Sequence, residues 1–187
     1  GGVTWNAGSG TAVTLTGDGA KTLVVRQTDV ACNTSVSSSS LGFTLDTTVA
    51  APTVALTSDT GTSATDKITK TSGFTVGGQE GTPTIQYSND NATWSTTYTP
   101  SQGSNTVYVR QTDTAGNVSA ASSALVFTYD TTAPTLNFNA LAGDGVLSSA
   151  EKTNSLLIVG TTDAEFGQSV SLTLNTRTYT GTVSSGT

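Results

Sequence analysis

Asp46, Asp59, Asp66, Asp113 and Asp130 are the side chains of this sequence whose type and setting could do chemistry. Asp59 opens Asp59-Thr60-Gly61 and Asp66 follows in the same polar loop. Asp113 opens Asp113-Thr114-Ala115-Gly116-Asn117, and Asp46 and Asp130 each head an Asp-Thr-Thr triplet. Aspartates flanked by threonine hydroxyls and loop carbonyls make up the all-oxygen donor set that calcium takes in its flexible shell of about six to eight ligands. With no histidine and one cysteine, Cys32, the chain offers no Cys/His cluster, which leaves a hard, oxygen-bound cation as the metal class. A plainer role competes at every position. An aspartate at the head of a turn bonds its own backbone as an Asx turn, and Asp113, with Gly116 and Asn117 behind it, suits that role equally. Neither loop has the spacing of an EF-hand.

The elements that must position these residues are announced by repetition. Residues 25–35 read VRQTDVACNTS and residues 109–119 read VRQTDTAGNVS. Arg26 and Arg110 are 110 − 26 = 84 apart, and Asp46 and Asp130 are also 130 − 46 = 84 apart. A fixed period of this kind marks a tandem array. Thr, Val, Ser, Gly and Tyr dominate, short alternating runs end at Gly, Asn, Asp or Pro, and no apolar stripe of helical period is present, so the expected class is all-β. In the middle unit the predicted strands are 53–57 (A), 74–77 (B), 84–87 (C), 93–96 (C′), a weak 98–100 (E), 105–111 (F) and 124–129 (G). Seven short strands in one period fit an immunoglobulin-like Greek-key sandwich. Alternation in strand F points Val107 and Val109 into the core and Tyr108 and Arg110 to the other face. Ser88-Asn89-Asp90-Asn91 supplies turn chemistry between C and C′. On this reading residues 47–130 are a complete repeat and residues 1–46 the C-terminal half of another. Residues 131–187 are the N-terminal part of a variant repeat, with strands at 136–138, 156–160, 170–174 and 179–183.

Composition excludes several function classes. Thirteen acidic against seven basic residues give a net charge of −6, a poor sign for binding nucleic acid. No apolar run reaches the length of a membrane span. Without histidine a serine or cysteine nucleophile has no usual base, and no phosphate-cradling GxxxxGK[ST] loop occurs, so no enzymatic activity is expected. Trp5 and Trp94 are expected to pack in or near the core, and Cys32 to be an exposed loop thiol. Cys32 stands where the other copy has Gly116, so glycine is not required there unless Cys32 imposes strain.

In a sandwich of antiparallel strands the A–B loop lies at the end where the chain leaves, and the F–G loop at the end where it enters. Asp59 and Asp66 then fall near the outgoing linker at Asp130, and Asp113 near the incoming linker at Asp46. Carboxylates gathered at a joint repel each other unless a cation sits among them.

The ordered set Asp-Thr-Thr-Ala-Pro, Asp59-Thr60-Gly61 through Asp66, and Val-Arg-Gln-Thr-Asp-Thr-Ala-Gly-Asn resembles the bacterial immunoglobulin-like repeats of giant surface adhesins exported by type I secretion. The stretch from 130 to 187 is similar to a variant with Gly-Asp-Gly-Val-Leu followed by Ala-Glu. The resemblance implies an extracellular stalk in biofilm formation or cell adhesion, whose domains bind calcium near their linkers, and it extends the candidate ligands to Asp144 and Glu151. The implied partners are neighbouring repeats and, through other domains, a host or biofilm surface. A ligand-binding module, with sandwich-end loops holding a glycan or a protein, is the alternative. The repeated loop wording favours the spacer, because loops that read ligands would be expected to diverge. Head-to-tail complementation between the two partial units of separate chains is a further expectation.

Overall fold

The computed structural model describes residues 13–140, 145–150 and 158–184. The regular structure among them is entirely β, and the chain forms two compact units, residues 1–131 and 132–187. In the first unit β1 (Gly19–Leu23) and β2 (Leu41–Leu45) pair antiparallel. There follow β3 (Thr53–Leu56), β4 (Ile68–Thr69), β5 (Phe74–Gly77), β6 (Thr84–Ser88), β7 (Gly103–Thr112) and β8 (Leu125–Tyr129). These make two layers, a β3-β5 sheet and a four-stranded sheet in the order β4-β8-β7-β6.

The layers meet through alternation. Along β7 the odd-numbered residues from Asn105 to Gln111 are buried and the even-numbered ones from Thr106 to Thr112 half-buried, which follows from side chains pointing to opposite faces at successive positions. Val107, Leu125 and Phe127 form the core, against which Val54, Leu56, Phe74 and Tyr87 pack from other strands and Tyr98 from the segment before β7. Phe74 is its hub: its ring lies 5.5 Å from Phe127 and 5.6 Å from Tyr98, both edge-on, the arrangement aromatic quadrupoles favour. Val107 and Val109 are thus internal and Tyr108 and Arg110 on the opposite face, as the alternation predicts.

Three features depart from the predicted strands. The segment at 98–100 is not a strand, because Tyr98 is fixed by its ring in the core and by its hydroxyl, which donates to the Thr106 carbonyl at 3.1 Å, while Pro100 has no N–H for a ladder. C′ shrinks to one bridge between Tyr87 and Ser95. The polar loop between β3 and β5 contains β4, which runs parallel to β8. Trp94 lies on the outer face of the four-stranded sheet instead of in the core, half-buried under the Arg110 guanidinium, 4.4 Å from the ring centre. Trp5 lies outside the described residues. The turn after β6 forms as its residues predict: Asn91 takes φ +58°, and one Asp90 carboxylate oxygen accepts from the Ala92 and Thr93 amides and the Ser88 hydroxyl.

In the second unit β9 (Leu136–Phe138) pairs with β10 (Gly160–Thr162), and β11 (Ser169–Leu174) with β12 (Arg177–Thr182), all antiparallel. Strand β10 starts at the last residue of the predicted 156–160, of which 156 and 157 lie outside the described residues. The β11–β12 turn has two residues, Asn175 and Thr176, at φ +45° and +71°, the signature of a type I′ hairpin.

Candidate functional site

The incoming linker is held from both sides. From the segment that leads into β1, Asp18 accepts from the Thr47 hydroxyl at 2.7 Å and the Thr48 hydroxyl at 3.0 Å. From the middle unit, the Asn117 amide nitrogen donates to the Asp46 carbonyl at 3.2 Å and to the Asp46 carboxylate at 3.4 Å. The same nitrogen donates to Asp113 Oδ2 at 2.8 Å, so one amide bridges two carboxylates. Four residues after Asp46, the Ala50 carbonyl accepts from the fully buried Gln111 side chain at 2.8 Å; the same side chain donates to the Gly78 carbonyl at 3.0 Å and accepts from the Glu80 amide at 3.1 Å. A buried amide with donors and acceptor all engaged tethers whatever it touches, since releasing it strands polar groups away from water.

Asp113 sits in its own turn. Its Oδ1 accepts from the Asn117 backbone amide at 2.9 Å, and the Asn117 side chain, more than any other group, holds its carboxyl below the usual aspartate range. Asp29 makes the same pattern in the first copy, accepting from the Asn33 amide at 2.8 Å and the Asn33 side chain at 3.0 Å. The Asx-turn role is therefore present at both positions. At the place of Gly116, φ +94°, the first copy puts Cys32 at φ +68°, so the sequence comparison is resolved in favour of strain at Cys32. Cys32 is a free, exposed thiol.

The outgoing side is built by the β3–β5 loop. Asp59 Oδ2 accepts from the Lys67 amide at 2.9 Å, while Asp59 Oδ1 is buried with no hydrogen-bond partner. Asp66 accepts from the Ile68 amide at 3.0 Å, a local turn. Lys67 takes φ +61° between them. The loop is fastened to the outgoing linker through backbone bonds from Thr128 to Lys67 and from Asp130 to Thr69, each 2.9 Å. Gln102 donates to the Asp130 carboxylate and accepts from the Thr131 amide and hydroxyl. Gln102 is the counterpart of Asp18, at 102 − 18 = 84. The structure thus brings Asp46 and Asp113 together through Asn117, and sets the loop of Asp59 and Asp66 beside β8, the strand that ends one residue before Asp130. Asp144 and Glu151 lie outside the described residues. Among the described residues no group of three or more acidic, cysteine or histidine side chains is close enough to hold a metal.

Four residues of this arrangement carried no chemical signal in the sequence. Gln111 and Asn105 are ordinary amides, yet both are buried with every polar group engaged; Asn105 donates to the Ser101 and Gly103 carbonyls and accepts from the Ser101 amide. Ser119 and Ser122 replace a neighbouring strand: their hydroxyls accept from the Gln111 and Val109 amides, each at 3.0 Å, and their own amides return bonds to the same two residues. Ser35 and Ser38 do the same for Gln27 and Val25, at 119 − 35 = 84 and 122 − 38 = 84. Repetition of Gln, Ser and Ser at 27, 35 and 38 was the signal that could have found Gln111, Ser119 and Ser122; Asn105, with Lys21 at the matching place, had none.

Comparison of the chain with models of known families, with curated proteins and with solved structures finds no significant match. No helix long and apolar enough to cross a membrane is present among the described residues.

Proposed function

We propose that this chain is a stretch of structural stalk from a bacterial cell-surface adhesin: tandem immunoglobulin-like repeats that act as a spacer in adhesion or biofilm formation and are stiffened at their linkers by calcium. The observation that carries the spacer is the linker gripped by both of its neighbours, through Asp18 on one side and Asn117 and Gln111 on the other. A flexible tether has no use for such contacts. A rod does, because its length depends on every joint keeping its angle. The loop of Asp113 is turned onto the linker, which favours the spacer over a module that reads ligands with that loop. The strand order of residues 53–129 and the internal alternation of β7 support the immunoglobulin-like reading.

For calcium, the fit rests on an orphaned atom. Asp59 Oδ1 is buried without a donor, a costly state for a carboxylate oxygen and one that a cation relieves. Asp59, Asp66 and neighbouring loop carbonyls and hydroxyls would hold the ion at the outgoing end. At the incoming end Asp46, Asp113 and the Asp46 carbonyl would hold it, and half a turn of the Asn117 amide would exchange its donor for an acceptor. Bound calcium supplies positive charge where carboxylates gather. At an extracellular affinity of about 10⁻⁴–10⁻³ M, a site at a few times that concentration adds on the order of 1 kcal/mol to stability.

Thermal unfolding with and without calcium tests the metal. Wild type is expected to melt several degrees higher in millimolar calcium than in chelator. Asp113→Asn keeps one acceptor for the turn but loses the charge and sets an NH2 against the Asn117 side-chain donor, so it is expected to melt somewhat below wild type in chelator and to forfeit part of the calcium increment as well. Asp113→Ala, with no acceptor left, is expected to lose more of each. No calcium increment in wild type would return these aspartates to turn chemistry alone.

A further inference from the structure

Three asparagines of the chain stand two places before a serine or threonine: Asn33-Thr34-Ser35, Asn91-Ala92-Thr93 and Asn117-Val118-Ser119. This is the wording at which N-linked sugars are attached, the asparagine amide nitrogen being the acceptor and the hydroxyl two residues on being read beside it. The structure sorts the three. At 33 and 117 both groups are already spent. The Asn33 and Asn117 amide nitrogens donate to the carboxylates of Asp29 and Asp113, at 3.0 and 2.8 Å. The Ser35 and Ser119 hydroxyls accept from the Gln27 and Gln111 amides and donate to the Val36 and Ala120 carbonyls. Asn117 is half-buried and Ser119 buried as well. These two sites are 117 − 33 = 84 residues apart, and their letters serve the turn and the strand beside it.

Asn91 differs in each respect. Residues 89–93 are all exposed. Their turn is anchored from within by Asp90, through its bonds from the Ser88 hydroxyl and the Ala92 and Thr93 amides, so it keeps its shape without help from the Asn91 side chain. That side chain makes no hydrogen bond to any described residue. The left-handed backbone at Asn91, φ +58°, does not require asparagine either. The pair Thr93-Trp94 recurs as Thr4-Trp5, and the residue two before that threonine is Gly2. Glycine enters the conformation freely. What asparagine adds over glycine here is an exposed amide nitrogen two residues before a threonine.

We infer that Asn91 is an acceptor site for an N-linked sugar, and that the fold withholds Asn33 and Asn117 from the same reaction. The donor is a sugar carried on a pyrophosphate, linked to a nucleotide or to a lipid. Asn91 Nδ2 bonds to the anomeric carbon as the bond from that carbon to the pyrophosphate oxygen breaks; the pyrophosphate group leaves with the electron pair, and the Nδ2 proton passes to a base of the transferase. Nothing is oxidised or reduced. The chain contributes presentation, an anchored turn with a free amide at its exposed end. Asn91 takes no part in the linker contacts of Asp18, Asn117 and Gln111, so the added sugar leaves those bonds in place. The inference requires neither calcium nor the adhesin assignment.

Sugar transfer to the folded full chain is the test. Purified, unmodified chain is incubated with a soluble N-glycosyltransferase of Asn-x-Ser/Thr specificity and UDP-glucose, and in parallel with an oligosaccharyltransferase and a lipid-pyrophosphate oligosaccharide. Intact mass and peptide mapping read the product. The chain is expected to gain one sugar, at Asn91, and the donor that delivers it tells the nucleotide-linked from the lipid-linked source. Asn91→Asp keeps a residue that tolerates the left-handed turn but removes the nitrogen, and Thr93→Val removes the hydroxyl; both are expected to gain none. Thr93→Ser gives the site the same serine as the other two and is expected to keep the sugar, which makes exposure and not wording the basis of selection. The inference is overturned by a folded chain that takes no sugar at Asn91 from either donor, by one that takes it as readily at Asn33 or Asn117, or by a Thr93→Ser chain that takes none.

Discussion

At the scale of single residues, the two copies make a controlled comparison of one backbone position. Asp29 and Asp113 close the same turn with the same asparagine partner, and the residue three places on is left-handed in both, as Cys32 or as Gly116. A side chain costs about 1–2 kcal/mol in that conformation, whereas glycine enters it freely. Nothing lies within 4 Å of a methyl group added at Gly116, so the backbone angle alone sets the effect of a substitution there. Gly116→Ala is therefore expected to destabilise the middle unit by about 1 kcal/mol, and Cys32→Gly to relieve its turn. Urea unfolding followed by Trp94 fluorescence checks the first, and an unchanged midpoint would show that the turn adapts. The turn aspartates were legible in the sequence because Asx chemistry is local. Asp90, Asp113 and Asn91 needed only their immediate neighbours to be read.

At the scale of elements, the strands with clean alternation or β-branched runs were legible: β3, β5, β6, β7, β8 and β9 fall on or within a residue or two of the predicted segments. What was not legible depended on partners far away in sequence. Strand β4 is two residues in a polar loop and exists because β8 offers it a parallel edge. The segment of Tyr98 looked like a strand but is held by one ring and one hydroxyl. Ser119 and Ser122 stand in for a strand by offering hydroxyl oxygens to β7. Removing such an acceptor from a buried amide costs about 1–3 kcal/mol, whereas water replaces it at an exposed one. Ser119→Ala is thus expected to lower the hydrogen-exchange protection of the buried Gln111 amide by a corresponding factor. Ser35→Ala, where the same bond is exposed, should change Gln27 little. Equal losses at the two sites would mean that burial is not what makes these hydroxyls matter.

At the scale of the whole molecule, a linker fastened on both sides was anticipated only in outline. The topology argument put Asp113 by Asp46 and the Asp59 loop by Asp130, since loop ends of a sandwich follow from strand count. The groups that grip the linker were not foreseen: Asn117 between two carboxylates, Gln111 on Ala50, and Asp18 under two threonines. Each is a side chain whose task is defined only once the neighbouring segment is in place. The central claim of the account is that this joint is rigid, and that calcium makes it so. The free thiol of Cys32 is exposed and lies on the first side of the joint, which makes it a natural place for one spin label, with a second at Thr96→Cys on the other side. Pulsed electron paramagnetic resonance between the two reads the joint directly. A narrow distance distribution in calcium that broadens in chelator, and that stays broad in both for Asp113→Asn, is the result the account requires. Equal widths with and without calcium would contradict it.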